Sequence, residues 1–338
     1  MKAAITQEIG GPEVIHVVDV PDPEPGPAEV RVRVRATSLN HLDIWVRRGL
    51  PGGPTFPHIG GADVAGEVDA VGAGVDPALV GTRVAVNPAL GYGWYDAAGD
   101  RGVSPLRMIG EHVNGGLAEL CVVPVENVAP LPDGLPFEAA AAVGVAGVSA
   151  WHALFARGGL RAGETLLITG ASGGVATLAI QMARMAGARV LAVTSGAANL
   201  GRVRDLGADL VYDRLEADFA RAVWADTGKR GVDLVLDSVG AAMWAFSVKS
   251  LAVRGRLVTY GASGGALAET ELRSVFWKEL SIVGATMGTP AEFRTVLRVV
   301  AEGRIRPVIH AVLPLAEARR AHEELERGDV FGKLVLVP

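Results

Sequence analysis

The segment at residues 165–193, TLLITGASGGVATLAIQMARMAGARVLAV, constrains the fold of this chain more than any other. An apolar run, Thr165 to Thr169, leads into a glycine-rich turn. Apolar residues then recur at helical spacing from Val175 to Ala186, and a second apolar run follows. This order of strand, glycine turn, helix and strand predicts a βαβ unit of the kind that binds a dinucleotide.

The turn between the first strand and the helix has the composition of a phosphate-binding loop. The helix begins at the glycines, so its free N–H groups and positive dipole end point to where a pyrophosphate would lie, and the missing Cβ atoms let the phosphate approach the backbone. The G-x-G-x-x-G spacing is altered, with Ala171 at the first glycine, where Gly170 supplies the turn, and Ala176 at the third. We predict a dinucleotide site, against the alternative of an ordinary βα turn. Its turn residues are Gly170, Ala171, Ser172, Gly173, Gly174 and Val175.

The end of the second strand indicates which dinucleotide binds. An Asp or Glu here would accept a hydrogen bond from the ribose 2′-hydroxyl of NAD(H). The chain instead reads Thr194-Ser195-Gly196, which favours NADP(H) over NAD(H) and adds Thr194 to the cofactor-binding candidates. Ser195, Asn199 and Arg202 are the candidates for the 2′-phosphate. For Arg202, a solvated position on a helix is the alternative.

The rest of the chain predicts two domains, since 338 residues exceed what one hydrophobic core usually supports. The alternation EVRVRVRA at residues 29–36, among Pro- and Gly-rich turns, is typical of a small β-barrel or sandwich. From about residue 138, apolar runs recur every 20–24 residues, which leaves room for a helix between them. They predict an α/β fold with a doubly wound parallel sheet of six strands. The runs begin near Thr165, Arg189, Asp209, Asp233, Arg256 and Leu280.

Composition and charge exclude several classes of protein. The net charge of −5, without a block of like charges, excludes a general nucleic-acid surface. The chain lacks a secretion signal and any run of about 18 apolar residues free of Gly or charge, so we expect a cytoplasmic protein without membrane contact. The only cysteine, Cys121, excludes an intrachain disulfide and a thiolate-rich zinc site. We expect Cys121 to be buried in an apolar strand, with a reactive thiol as the alternative.

Further motifs occur in a characteristic order. They include FPHIGGADVAGEVDAVGAGV, GTRVAV, GGLAELCVVP, GASGGVA, GVDLVLDSVG and FGKLVL. With them the chain resembles the medium-chain dehydrogenase/reductase superfamily, which includes zinc alcohol dehydrogenases and zinc-free quinone oxidoreductases. The resemblance implies a GroES-like, β-rich catalytic domain at residues 1–126 and 288–338 and a Rossmann NADP(H)-binding domain at residues 127–287. It also implies a cleft between the domains, where the nicotinamide meets the substrate.

The chain departs from the zinc enzymes of this superfamily at the metal ligands. A Cys is replaced by Asn40, a His-Glu pair by Ala62-Asp63, and a second Cys by Val145. An amide and two aliphatic side chains cannot supply the N and S ligands of catalytic zinc, so we predict no metal. Another set could in principle form, although its spacing matches no known motif and solvated positions are the alternative for its histidines. The set comprises His41, Asp43, His58, Asp63, Glu111 and His112.

The segment at residues 87–114 lies where some relatives carry four cysteines around a structural zinc, and it keeps this lobe without its cysteines. Without them, we expect either apolar burial of its side chains or a mobile flap over the active site. The apolar side chains in question are Tyr92, Trp94, Tyr95 and Leu106.

The resemblance also implies roles for residues near the reacting atoms. It places Asn40 beside the nicotinamide ribose, His41 and Asp43 nearby, and Ser149 across the ring. Asn40 is the first candidate for a donor that orients the substrate, and His41 is a candidate proton donor. For Asp43, an ion pair with Arg47, four residues on, is the alternative.

On the cofactor side, the resemblance assigns residues of the later strands and Lys333. Lys333 is expected near the pyrophosphate. The backbone around the nicotinamide and adenine ribose is expected to come from Val239, Gly240, Gly261, Ala262 and Met287. The apolar run at residues 280–287, LSIVGATM, predicts an exposed edge strand that a second copy of the chain would cover in a homodimer.

Together these features predict an NADPH-dependent, zinc-independent reductase of quinones or α,β-unsaturated carbonyls. Conjugation in such a substrate spreads the developing negative charge, so one or two hydrogen-bond donors can replace a metal. An alcohol dehydrogenase with an atypical zinc site is the first alternative. An NADPH-binding structural or sensing protein without turnover, with a cleft blocked by Trp45 or Tyr92, is the second.

Overall fold

The computed structural model describes residues 1–92, 106–215 and 219–338. Trp94 and Tyr95 of the expected lobe lie outside these ranges. The chain divides into two compact units, Met1–Val148 with Gly288–Pro338, and Ser149–Met287. The first boundary differs from the expected end at residue 126, because the helix at Phe137–Ala142 packs on the strands of the first unit.

The strands and helices of the described ranges follow in chain order. The strands are β1 (Lys2–Thr6), β2 (Ile15–Asp19), β3 (Glu29–Ser38), β4 (His58–Ile59), β5 (Asp63–Val71), β6 (Arg83–Val86), β7 (Ala89–Leu90), β8 (Arg107–Met108), β9 (Leu120–Pro124), β10 (Val128–Pro130), β11 (Thr165–Ile168), β12 (Arg189–Thr194), β13 (Leu210–Asp213), β14 (Val232–Asp237), β15 (Leu251–Thr259), β16 (Ser281–Gly284), β17 (Ile309–Pro314) and β18 (Lys333–Val337). The α-helices are α1 (His41–Arg47), α2 (Phe137–Ala142), α3 (Val145–Trp151), α4 (Gly174–Met185), α5 (Ala197–Asp205), α6 (Phe219–Asp226), α7 (Ala241–Ser250), α8 (Leu272–Trp277), α9 (Pro290–Ala301) and α10 (Ala318–Arg327).

The first unit is the β-rich, GroES-like domain. Its main sheet has the order β10-β6-β5-β3-β18-β17, and β9 also pairs with β3. The alternation of β3 is the predicted one, since Val30, Val32 and Val34 are buried while the intervening arginines face away from this core. These arginines form ion pairs with acidic residues of β5; Arg35, for example, contacts Glu67 at 2.7 Å.

The chain returns to this sheet after the second unit. The closing strand β18 pairs antiparallel with β3, with Val335 opposite Ser38. The additional strand β17, which the sequence analysis did not predict, pairs parallel with β18. This register brings Lys333, at the start of β18, to the end of β3.

The second unit is a parallel sheet of six strands with the order β13-β12-β11-β14-β15-β16, as predicted. Its core is formed by fully buried side chains such as Leu167, Leu191 and Val235. The strand order reverses between β11 and β14. In sheets of this topology, ligands bind at the carboxyl ends of the strands beside that reversal.

Two predictions about apolar segments concern the burial of Cys121 and the presence of membrane-spanning helices. Cys121 is buried in β9 as expected, and desolvation raises the pKa of its thiol to about 12, which contradicts the reactive-thiol alternative. Within the described part of the chain, every helix is too short or too polar to cross a membrane.

Ile180, in the middle of α4, tests the packing of the second unit. Its side chain is 0% exposed. The substitution Ile180→Ala should lower the free energy of unfolding by about 2–5 kcal/mol, because it removes buried methyl groups and leaves a cavity. Denaturant titration followed by circular dichroism measures this. The matched control is Ile9→Ala, at a side chain that is 61% exposed, which should change stability by less than about 0.5 kcal/mol. Equal losses for the two variants would contradict the assigned core.

Candidate cofactor pocket and buried polar cluster

A pocket of about 270 Å³ lies at the carboxyl ends of the parallel strands in the second unit. Residues from the turns after β11, β12 and β14 line it, which is the crevice that the strand order predicts. Among the predicted cofactor residues, those that line it are Gly170, Ser172, Thr194, Ser195 and Val239.

The glycine turn has the geometry that a phosphate site needs. Gly170 has φ +63°, a left-handed conformation that strains other residues, and its carbonyl oxygen accepts the N–H of Gly173 at 3.0 Å. Ala171 is buried and donates its N–H to the oxygen of Val193 at 3.0 Å. Helix α4 begins at Gly174, and none of the described side chains caps it. Its first N–H groups therefore suit an anionic ligand.

The buried carboxylate of Asp237 is hydrogen-bonded to the residue before this turn and to the turn after β14. Its Oδ1 accepts the hydroxyl of Thr169 at 2.6 Å, and its Oδ2 accepts the N–H of Gly240 at 2.8 Å. These bonds join the ends of β11 and β14 beside the pocket. Burial raises the pKa of Asp237, although these hydrogen bonds oppose the shift. Asp237 was not among the residues predicted from the sequence, although an acid at the end of the apolar run GVDLVLD is a signal that could have identified it.

The candidates for the 2′-phosphate occupy different places. Ser195 lines the pocket, whereas Asn199 and Arg202 are not among the described residues that line it. Asn199 turns back to donate to the carbonyl oxygen of Ser195 at 3.0 Å, and Arg202 is exposed on α5. Arg214, which the sequence analysis missed, does line the pocket. Its backbone N–H bonds to the oxygen of Thr194 at 3.0 Å, which ties the end of β13 to the end of β12.

Ser149 and the residues of the later strands that the resemblance assigned to the cofactor lie in the same unit. Gly261 and Ala262 belong to the turn after β15, where the N–H of Gly264 bonds to the oxygen of Val239 at 2.7 Å. Ser149 donates its hydroxyl to the sulfur of Met287 at 3.7 Å. Met287 is itself buried with φ +49°, a conformation that non-glycine residues seldom adopt and that often occurs at functional sites.

A buried polar cluster in the first unit contains Ser38, Asn40, Asp63 and Lys333. Oδ2 of Asp63 accepts hydrogen bonds from Ser38 Oγ at 2.5 Å, Asn40 Nδ2 at 2.9 Å and Lys333 Nζ at 3.1 Å. Its Oδ1 accepts the N–H of Val145 at 2.6 Å. Because Asp63 is 0% exposed, these donors replace the water that its charge would otherwise require.

Lys333, which the resemblance places near a pyrophosphate, is bonded to three acceptors of the first unit. Its ammonium donates to the carbonyl oxygen of Leu39 at 2.7 Å, to Asn40 Oδ1 at 2.5 Å and to Asp63 at 3.1 Å. These acceptors occupy its three N–H groups. Lys333 is 4% exposed, so contact with a phosphate would require it to give up one of these buried bonds.

The residues at the zinc-ligand positions of the family do not fit zinc. Asn40 and Asp63 are bonded to an ammonium, which would repel a metal cation, and Val145 contributes only a backbone N–H. The described residues contain no group of three or more His, Cys, Asp or Glu side chains that could hold a metal. His58, for which solvation was an alternative, is buried with Nε2 3.0 Å from the oxygen of Gly110.

Two neighbours of Asn40 carry titratable side chains. Asp43 caps the start of α1 by accepting the N–H groups of Asn40 and Gly61, both at 2.8 Å, and burial raises its pKa to about 6. The alternative ion pair between Asp43 and Arg47 is wrong, because Arg47 pairs with Glu326 from α10. His41 is solvent-accessible, yet partial desolvation and the Lys333 ammonium lower its pKa, so its ring is neutral at pH 7.

Comparison with known proteins identifies the family. Residues 26–133 match the model of the alcohol dehydrogenase GroES-like domain, and residues 174–302 match that of the zinc-binding dehydrogenases. A quinone oxidoreductase of Pseudomonas aeruginosa is 36% identical over 97% of both chains.

Solved structures agree with this assignment. The chain is similar to a crystal structure of an NAD-dependent alcohol dehydrogenase, with a TM-score of 0.94 and 41% identity over the whole of both chains. It is also similar to a mycobacterial protein complexed with NADPH, with a TM-score of 0.86 and 32% identity over the whole of both chains. The chain therefore belongs to the medium-chain dehydrogenase/reductase superfamily and is an oxidoreductase.

Proposed function

We propose that this protein is an NADPH-dependent, zinc-independent oxidoreductase that transfers a hydride to a quinone or an α,β-unsaturated carbonyl. The observation that carries the cofactor preference is the lining of the pocket after β12. Ser195 and Arg214 line it there, and none of the described residues lining it is acidic. A guanidinium beside a hydroxyl suits a phosphate, whereas a ribose 2′-hydroxyl is usually held by a carboxylate.

The buried cluster supports the zinc-independent part of the proposal. The Lys333 ammonium lies 3.1 Å from the Asp63 carboxylate and supplies the positive charge that this buried acid requires, which favours a site without a metal cation. Quinone oxidoreductases among the relatives make a conjugated carbonyl the first choice of substrate. In such a substrate the developing charge is delocalised, and hydrogen-bond donors can stabilise it.

In the proposed mechanism, Asn40, His41 and Asp43 of the first unit have separate roles. Bound NADPH would supply the hydride. The Asn40 carboxamide would donate an N–H to the substrate oxygen and stabilise the charge that develops there. His41, neutral at pH 7, would donate its ring N–H or relay a proton from water. Asp43 would hold the backbone of Asn40 in place rather than act on the substrate.

The similarity to a solved NAD-dependent alcohol dehydrogenase also supports a second candidate, an alcohol dehydrogenase that uses NAD(H). An atypical zinc site would then have to displace the Lys333 ammonium. Metal analysis of the purified protein separates the candidates, since one equivalent of tightly bound zinc per chain would favour the alcohol dehydrogenase. Tight NADPH binding without turnover of any substrate would favour a sensing or structural protein.

The activity is tested by following NADPH oxidation with a panel of quinones and enones. We expect turnover with NADPH, and a lower kcat/KM when NADH replaces it. Absorbance at the reduced nicotinamide band measures both rates. The absence of NADPH oxidation with every member of the panel would overturn the proposed reaction.

Arg214 tests the assignment of the 2′-phosphate. Loss of a charge-assisted hydrogen bond costs about 1.5–3 kcal/mol, so Arg214→Ala should raise the Kd for NADPH about tenfold or more and leave the Kd for NADH unchanged. Isothermal titration calorimetry measures both constants. The control is Arg204→Ala, on the exposed side of α5, which should change neither. Equal weakening of NADPH and NADH by Arg214→Ala would contradict a 2′-phosphate contact.

We also propose that the protein forms a homodimer through the edge strand β16. This strand ends the parallel sheet, and large apolar side chains are exposed on it and on α8, including Phe276 (61%), Trp277 (77%) and Ile282 (41%). Such an edge is usually covered by another chain.

Ile282 tests the dimer. Ile282→Lys should halve the molar mass in solution, because a charge on the edge strand disfavours pairing with a second strand. Light scattering after size exclusion measures the mass. Ile9→Lys, at an exposed apolar residue of the first unit, is the control and should leave the dimer intact. A wild-type chain that is monomeric in this measurement refutes the proposal.

A further inference from the structure

We infer that the buried ion pair of Lys333 and Asp63 fixes the orientation of the Asn40 carboxamide, which makes Lys333 a positioning residue for the reduction. This inference rests on the proposed function, in which Asn40 donates to the substrate. It assigns to Lys333 an action through Asn40 in place of a contact with the cofactor.

The two ends of the Asn40 carboxamide bond to groups of opposite charge. Its Oδ1 accepts from the Lys333 ammonium at 2.5 Å, and its Nδ2 donates to the Asp63 carboxylate at 2.9 Å. Rotation of the amide by half a turn would place N–H groups against the ammonium and the oxygen against the carboxylate. Both contacts would then be repulsive, so the ion pair permits one orientation.

This orientation leaves one N–H of Asn40 for a ligand. One hydrogen on Nδ2 is used by Asp63, and the other has only a weak contact, 3.5 Å, with the carbonyl oxygen of Ser38. The bond from Lys333 to Oδ1 polarises the amide and strengthens its N–H groups as donors. The cluster thus presents a polarised and oriented donor.

The burial of the Lys333–Asp63 ion pair indicates a role other than stabilisation of the fold. Asp63 is 0% and Lys333 is 4% exposed, and a buried ion pair often contributes less stability than apolar residues of the same volume. Beside Asn40 and Asp63, which stand at the zinc-ligand positions of the superfamily, the positive charge in this chain is the ammonium of Lys333. The simpler alternative is that Lys333 only ties β18 to the backbone of Leu39.

A double-mutant cycle separates these readings. Lys333→Met combined with Asp63→Asn removes both charges, so neither is left buried without a partner. We expect this pair of substitutions to lower kcat for NADPH-dependent reduction at least tenfold while the Kd for NADPH stays unchanged. In an Asn40→Ala background it should lower kcat no further, because Lys333 acts through Asn40.

The matched control is Lys2→Met combined with Asp19→Asn, which removes an exposed ion pair of the same unit and should leave kcat unchanged. Three results would overturn the inference. The first is that kcat and the Kd for NADPH are both unchanged. The second is a loss of kcat that multiplies with the loss caused by Asn40→Ala. The third is weaker binding of NADPH at an unchanged kcat. The last would return Lys333 to the cofactor phosphates.

A measurement without turnover keeps the test independent of the proposed reaction. The chain has five asparagines, so selective ¹⁵N labelling resolves their side-chain amides by NMR, and Asn40→Ala assigns the signal of Asn40. In the wild-type protein, the Nδ2 proton that is bonded to Asp63 should exchange with solvent at least tenfold more slowly than the amide protons of free asparagine. Exchange at the free rate overturns the fixed orientation. Slow exchange in a protein that reduces no substrate would mean that the orientation holds and the proposed function fails.

Discussion

The carboxylate of Asp63 is shielded from solvent, and its charge must be compensated within the protein. Its four donors come from different parts of the first unit: Ser38 ends β3, Asn40 precedes α1, Val145 begins α3 and Lys333 begins β18. The same bonds that satisfy one charge therefore connect three segments that are distant in sequence, at residues 38–40, 145 and 333. The backbone of Gly144 lies so close to Asp63 that a Cβ on Gly144 would be 2.1 Å from Oδ1 of Asp63. Gly144 thus has a steric reason to be glycine.

The second unit uses a comparable arrangement beneath its pocket. Asp237 accepts from Thr169 and Gly240, and so holds two of the turns that line the pocket at a fixed spacing. In each unit a buried acid supports backbone that is suited to a ligand, while the acid itself faces inward.

The sequence predicted the features that depend on local pattern. The alternation of residues 29–36, the spacing of the six apolar runs and the glycine turn at Gly170 each have a period or a composition that only one kind of element satisfies. The contacts within the candidate site could not be predicted from the sequence. Lys333 and Asp63 are 270 residues apart, and no local pattern encodes which ammonium meets which carboxylate. Arg214 was missed because its role depends on β13 lying beside β12, a pairing that is visible only once the strand order is known.

The division of the chain has a consequence for its synthesis. Residues 149–287 form the second unit and emerge from the ribosome before β18 exists, so the parallel sheet can fold while the first unit still lacks its closing strand. During that interval Asp63 has no ammonium partner, and the end of β3 at Thr37 and Ser38 lacks the strand that pairs with it. Completion of the polar cluster is therefore a late event in biogenesis, and a nascent chain can form the pocket of the second unit before it forms this cluster.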